Sequence, residues 1–386
     1  MTERIYDSDS NCCSLDATVI SCRPHGDLYA VVLDKTIFFP GGGGQEADKG
    51  ELNALNVVDL IDDGEDIIHI VNGPLSVGLT VNCKINIDRR FRLMQNHTGE
   101  HLVCGIAHSL FSAENTGFHM GSEGVTADLS VPLTKDQIIT IENKANTAIY
   151  ENKSVRCFYP SDKDLNTIDY RSKGSTDGRL RLVSIEGYDC CACCAPHVKT
   201  TGQIGVIKIL SFQRYKGGTR LLIKCGYDAF EDYRLKCNDI SIISQLLCSE
   251  VKCVSQAVEE LLQQKHDLEF DFKRIQLKHA DYIKERITYC DGNACFFLSD
   301  INSEVARDIV NLGIEKCTGV FAVFYDCKGS YNYCIGSNRV NMREYIKSFN
   351  HELNGRGGGR DTMAFGSVGC SEQQIIEYLS PKLIVH

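Results

Sequence analysis

No run of apolar residues in this chain is long enough to span a bilayer, so no segment reads as a membrane helix. The N-terminus, MTERIYDSDSNCC, carries acidic residues where a secretory signal needs an apolar stretch. Positive charge is also in deficit: 51 acidic residues against 41 Lys and Arg give a formal net charge of −10. That excludes a generic nucleic-acid coat, which is basic overall. It does not exclude a nucleic-acid enzyme, for which a local basic face is enough. Lys199, Lys208, Arg214, Lys216, Arg220 and Lys224 share a stretch that has no acidic residue; they form either such a face or an ordinary solvated one. Gly and Pro are both missing from 228–288.

Cysteine is plentiful, at 20 residues. A disulfide framework belongs to short secreted chains. In 386 residues without a signal, the expectation is a reducing compartment, free thiols and a few on metal. The expected location is cytoplasmic, with no membrane partner. The length and the 43% hydrophobic content are enough for roughly two to four compact domains.

Residues 15–88 alternate short apolar runs with Gly, Asn, Asp and Pro. ATVISC, LYAVVLD, TIFF, VVDLID, IIHIV and VNCKINI read as six strands of a small barrel. The period then changes. RRFRLMQNHTGEHLVCGIAHSLF reads as a helix with one face of mixed chemistry turned inward. A second helix follows at 132–150, with Thr134 as its cap. Strands return at SVRCFY, RLRLVSI, GVIKILSFQRY and TRLLIKCG, giving an α+β fold class. In 228–288, Leu247, Val251, Val254, Val258, Leu261, Leu268, Phe272 and Ile275 form a heptad seam. It fits a coiled-coil dimer or a helix packed on its own domain. Residues 290–386 read as a small α/β domain, with the loop NGRGGGR before its last helix.

His97 and His101 stand four apart in the first helix, so both imidazoles share one face, a turn apart. Cys193 and His197 are also four apart, in a Gly/Pro-containing turn. Three imidazoles and a thiolate close a tetrahedral zinc shell, and Zn2+ is the expected cofactor. Cys190 with Cys193, or Cys191 with Cys194, offers a competing CxxC knuckle. His97, Glu100 and His101 also spell HxxEH, a metalloprotease pattern with Glu as general base. Glu100 is therefore a candidate catalytic residue, or else a salt-bridging surface residue.

FFPGGGGQEADKG, RRFRLMQNHTGEH and CCAPHVKTTGQIG, in this order, resemble the AlaX alanyl-tRNA editing proteins. These are free-standing relatives of the alanyl-tRNA synthetase editing domain. The shared motifs are Gly43, Gly44 and Gln45; His97 to His101; and Cys193 to Val198 followed by TGQIG from Thr201. They cover about 15–226. NGRGGGR, then GSV and a last helix, is similar to the DHH-associated domain that closes the synthetase, as in the long form of AlaX. No class II ATP-binding core is read ahead of residue 15. Two departures touch the amino-acid pocket: Cys194-Ala195-Pro196 replaces Gly-Gly-Thr, and Glu100 replaces a small or apolar residue.

The resemblance implies four parts. Residues 1–88 would be the barrel with the GGQ loop, and 89–226 a two-layer α/β zinc-binding editing domain. Residues 227–289 would be a helical linker, and 290–386 a small C-terminal α/β domain that binds tRNA and dimerises. The implied activity is zinc-dependent deacylation of seryl-tRNA(Ala), with glycyl-tRNA(Ala) as a second candidate. The need is physical: a site for alanine rejects serine or glycine poorly, so a second sieve is required. Gly43, Gly44 and Gln45 would line the pocket. His119 would bond the amino acid or the terminal adenosine, or else be a buried structural His. Arg356, Gly357, Gly358, Gly359 and Arg360 would touch the tRNA elbow. The partners implied are mischarged tRNA(Ala) and a second copy of the chain. The rivals are an HxxEH protease and a non-catalytic, zinc-containing tRNA-binding protein.

Overall fold

A computed structural model describes residues 1–165, 167–172, 180–327, 330–380 and 383–385. They form two compact units, Met1–Ile242 and Ile243–His386. Elements are numbered here without two-residue strands and helical stretches of four residues or fewer.

The first unit begins with a closed six-stranded barrel. Its strands are β1 (Ser14–His25), β2 (Leu28–Leu33), β3 (Gly50–Leu52), β4 (Leu55–Asp62), β5 (Ile67–Val71) and β6 (Thr80–Ile85), in the order β1-β2-β5-β4-β3-β6. Strict alternation turns Val81, Cys83 and Ile85 of β6 inward. One expected strand is corrected. TIFF is not a barrel strand, and Gly50–Leu52 takes its place. Ile37, Phe38 and Phe39 are buried in succession, which a two-faced strand does not allow, and they fill space as an irregular segment.

Helix α1 (Ile87–Phe111) follows. Asn86 caps it by accepting from the Arg89 amide at 3.0 Å, and Ser112 ends it at φ +52°. The sequence pattern pointed to one inward face, but every residue from Met94 to Ala107 is buried. The helix is wrapped on all sides. α2 (Lys135–Glu151) starts at the expected Thr134, which forms a capping box with Gln137.

Around these helices lie β7 (Asn115–Gly121), β8 (Gly124–Leu129), β9 (Val155–Phe158), β10 (Leu182–Ile185), β11 (Asp189–Ala192), β12 (Ile207–Tyr215) and β13 (Gly218–Cys225). They make a four-stranded sheet, β12-β13-β8-β7, and a three-stranded sheet, β9-β10-β11. Leu102 and Ile106 of α1, Ile138 and Ile141 of α2, and Leu221 and Ile223 of β13 share the core. The basic stretch is largely compensated. Lys199 pairs with Asp9, Lys208 with Glu142, Arg220 with Asp128 and Lys224 with Asp232. α3 (Gly226–Leu246) comes next in the chain.

In the second unit, α4 (Val254–Arg286) follows a break at 247–250, where Cys248 has φ +49°. Only Gln276, Ala280 and Ile283 of α4 are buried. Val258, Leu261, Leu268, Phe272 and Ile275 of the heptad seam are exposed. Then come β14 (Asn293–Leu298), α5 (Ser303–Lys316), β15 (Phe321–Cys327), β16 (Ser330–Gly336), α6 (Met342–Glu352), β17 (Arg356–Gly359), β18 (Met363–Val368), α7 (Glu372–Leu379) and β19 (Leu383–Val385). They form a six-stranded mixed sheet, β17-β18-β16-β15-β14-β19. NGRGGGR is corrected from a loop before a helix to an exposed edge strand paired with β18. Side chains at Gly357 or Gly359 would strike the β18 backbone, so the glycines serve close pairing.

A buried ion pair joins barrel to helix. Arg90 donates to both oxygens of Asp48, to Ser10 O at 3.0 Å and to Ile37 O at 2.7 Å, and Asp48 Oδ2 accepts from the Phe39 amide at 2.7 Å. Removing one partner strands a buried charge. Arg90→Leu is expected to cost about 3–5 kcal/mol in urea unfolding, and adding Asp48→Leu to recover part of it. A cost below about 1 kcal/mol, the range of surface pairs, would show that the pair is no clamp.

Candidate metal centre

α1 carries His97 and His101 through the core, and the segment after β11 brings Cys193 and His197 to them. One ligand atom from each of the four lies within 4.8 Å of the others. Cys193 Sγ is 3.6 Å from His97 Nε2 and 3.4 Å from His197 Nε2. Zinc bonds of about 2.3 Å to sulfur and about 2.1 Å to nitrogen put tetrahedral S–N edges at about 3.6 Å. The donor set and spacing therefore fit a tetrahedral divalent metal. Neither CxxC pairing forms such a group among the described residues; Cys191 instead falls with His101 and Asp189. Every cysteine whose side chain is described is a free thiol.

Each imidazole turns Nε2 to the thiol and has a partner facing its other nitrogen. His97 Nδ1 donates to Gln45 Oε1 at 2.8 Å, and His197 Nδ1 is hydrogen-bonded to Thr98 Oγ1 at 3.0 Å. His101 Nδ1 faces Asp189 Oδ2 at 3.5 Å, an ion-pair separation longer than a hydrogen bond. Asp189 is clamped by Arg171 Nε and NH2, both at 2.8 Å. Gly105 makes room for this carboxylate, since a side chain there would meet Asp189 Cβ at 2.6 Å. Such partners fix ring tautomer and orientation at a metal site.

Burial resists charge at Cys193, but the His97 charge and hydrogen bonds from His101, His197 and His97 outweigh it and hold the thiol well below its ordinary value. Burial likewise lowers His197, to about 3. At His101 burial is overcome by Asp189 and then Cys193, and the imidazole sits well above its ordinary value. The thiolate state that a metal requires is thus favoured before any metal arrives.

A cavity of about 410 Å³ opens beside the cluster, lined by Gly43, Glu100, Phe118, Arg181 and Cys194 among others. Glu100 is no surface residue. It is 2% exposed, and its Oε1 accepts from Asn115 Nδ2 and, at 3.3 Å, from Cys104 Sγ. Gly43 reaches the cavity. Gly44 packs on Phe118, whose ring an added Cβ would meet at 2.3 Å. Gln45 backs His97, and its buried Nε2 has no hydrogen-bond partner among the described residues. The reading of His119 as a buried structural histidine is corrected: it is exposed, and it does not line the cavity. Strand alternation turns Phe118 inward, stacked on His97 at 4.9 Å, and His119 outward. Sequence reasoning missed Thr98, Asn115, Phe118, Arg171 and Asp189. Thr98, between the two histidines, Phe118, next to His119, and Asp189, just before the cysteine cluster, stood near a candidate; Asn115 and Arg171 did not.

A family model described as the threonyl and alanyl tRNA synthetase second additional domain matches residues 180–222, which carry Cys193 and His197. Alanyl-tRNA editing protein Aarsd1-A of Xenopus laevis is 33% identical, over 92% of this chain and 89% of that one. Aarsd1-B of the same species is also 33% identical, over 76% of each. The chain belongs to the AlaX-type alanyl-tRNA editing family. Alanyl-tRNA editing protein AlaX-L of Pyrococcus horikoshii aligns end to end with it, at 26% identity over 100% of this chain and 99% of that one. Among solved structures, the C-Ala domain from Aquifex aeolicus alanyl-tRNA synthetase aligns with 23% of this chain and 90% of that one at 22% identity and a TM-score of 0.20, a value that supports no inference.

The Asp189 carboxylate behind His101 gives this family member a testable feature. Asp189→Asn is expected to weaken metal binding about 10–100-fold in competition with a chromogenic chelator. An unchanged affinity would reduce the Arg171–Asp189 pair to scaffold.

Proposed function

We propose that this protein is a zinc-dependent hydrolase that edits mischarged alanine tRNA, removing serine from seryl-tRNA(Ala), with glycyl-tRNA(Ala) as a second substrate. One observation carries the reading: three imidazoles and a thiolate converge at tetrahedral spacing beside a cavity that holds a carboxylate. Membership in a family whose relatives are named alanyl-tRNA editing proteins supplies the substrate class. Zinc, held by His97, His101, Cys193 and His197, would supply Lewis acidity toward the ester carbonyl or a bound water once one ligand loosens or the shell expands to admit it.

The chain's own residues do the rest. Gln45, Thr98 and Asp189 hold the ligand rings. Glu100, kept in place by Asn115 and Cys104, takes a proton from the attacking water. The water oxygen bonds to the ester carbon, the bond to the ribose oxygen breaks, and the proton passes to that oxygen. Free serine and intact tRNA result. Gly43 and Phe118 leave the wall small and apolar, suited to a second sieve for small amino acids. The HxxEH protease reading needs a carboxylate as third ligand, where this cluster has Cys193 and His197.

Arg356, exposed on an edge strand of the second unit, and Arg360, exposed just after it, offer charge to the tRNA backbone. The exposed heptad positions of α4 are assigned to a homodimer. Light scattering should give twice the chain mass, and Leu261→Lys with Leu268→Lys should halve it; a monomeric wild type would rule the dimer out.

The decisive measurement is single-turnover deacylation. Seryl-tRNA(Ala) should lose its amino acid far faster than alanyl-tRNA(Ala). Chelation or His101→Ala should lower the rate at least about 100-fold, the scale of losing one electrostatic contribution. No hydrolysis by zinc-loaded wild type would leave only the non-catalytic tRNA-binding reading.

A further inference from the structure

The four-stranded sheet has a second face that the site does not use. Phe118, Ala127, Leu221 and Ile223 turn toward the helical core, so their neighbours turn outward. Register puts His119, Thr126 and Leu222 in one outward row, and Asp128, Arg220 and Gln213 in the next. β12 is an edge strand of this sheet, Ser211 to Arg214 are exposed on both of its faces, and Lys216 and Gly217 turn the chain into β13 as a hairpin.

The tip of this hairpin has a distinct chemistry. The Arg220 guanidinium lies 3.5 Å from the Tyr215 ring centre and is fixed by two hydrogen bonds to Asp128, at 2.6 and 2.7 Å. A ring backed by a held cation is a stacking platform for bases. Arg214 and Lys216 flank it with no ion pair among the described residues, whereas Lys199, Lys208, Arg220 and Lys224 are all paired. In a chain of net charge −10, this tip keeps uncompensated positive charge.

The sheet also links the tip to the cavity. Arg214 stands opposite Thr219, Thr219 opposite Leu129, and Leu129 opposite Asn115, the residue that holds Glu100. Three strand spacings cover about 14 Å. β7 is the other edge strand, presenting Phe118 to His97 and His119 to the outer face.

We propose that the β12–β13 hairpin docks the tRNA strand that bears the aminoacyl ester, with Tyr215 stacking a base and Arg214 and Lys216 on phosphates. This rests on the editing reading and adds where the RNA lies. The test is anisotropy with uncharged tRNA(Ala) transcript over a salt series. Arg214→Gln with Lys216→Gln should weaken binding and make the slope of log affinity against log salt shallower by about 1.4. Tyr215→Ala should weaken binding about tenfold with the slope unchanged. Lys265→Gln with Lys273→Gln on α4 removes the same charge elsewhere and should match wild type. Wild-type affinity and slope in both hairpin variants would overturn the proposal, as would an equal loss in the α4 control. Zinc content equal to wild type verifies that each variant is folded. Uncharged tRNA separates the two readings: a chain that binds it but deacylates nothing ends the editing assignment and leaves this one intact.

Discussion

One buried guanidinium sets the frame of the metal centre. Arg90 lies two helical turns before His97, and its bonds run to Ser10, Ile37 and Asp48. Ile37 and Asp48 flank the four-glycine loop, so both ends of the loop are pinned to α1. Gly41 to Gly44 all have φ between +57° and +137°, a path costly for any other residue. With its ends fixed, the loop delivers Gln45 to His97. Ser10, held by the same arginine, donates from its hydroxyl to His197 O at 2.8 Å. A desolvated arginine is expensive, and a hydrophobic pair of similar volume often serves stability as well or better. What the ion pair adds is direction, because bonds to fixed acceptors define where the loop sits. An apolar contact would not.

The partners of the three histidines come from separate places: a barrel loop, the ligand helix itself and a strand of the three-stranded sheet. Each ring is thus oriented by a different element, and the centre needs all of them folded at once. The electrostatics follow from that assembly. In water a thiolate beside imidazoles gains little, but here three buried imidazoles surround the half-buried thiol and their attraction exceeds the burial penalty at Cys193. Without metal, the proton favours His101, between Asp189 and Cys193. Metal binding must displace it, so affinity should weaken as pH falls.

The sequence made the ligands legible because both pairs repeat at four, the period of a helical turn, and because His and Cys have few other reasons to cluster. The barrel was legible from its alternation, as was the Thr134 cap from its box. The failures have physical causes. His119 was read by alignment of motifs, but strand parity decides its face. NGRGGGR has the composition of an anion-binding loop; the same glycines also permit close strand pairing. TIFF has β-formers in a row, and its burial on every side belongs to a core-filling segment. Arg90, Asp48, Arg171 and Asp189 were hidden because charged residues give no sign of burial until their partners, up to 42 residues apart, are brought together.

The departure from the family pattern after Cys193 has a structural counterpart. Cys194 replaces a glycine, and its sulfur lies 3.7 Å from where a side chain on Gly42 or Gly43 would begin. Side-chain volume on one wall of the cavity is therefore met by its absence on the other. Widening either glycine would strain a backbone already at positive φ, with the new Cβ just in contact with the thiol, and shrinking Cys194 would open the gap between the two segments. The width of the cavity mouth is thus a joint property of two segments 150 residues apart, and neither motif alone specifies it.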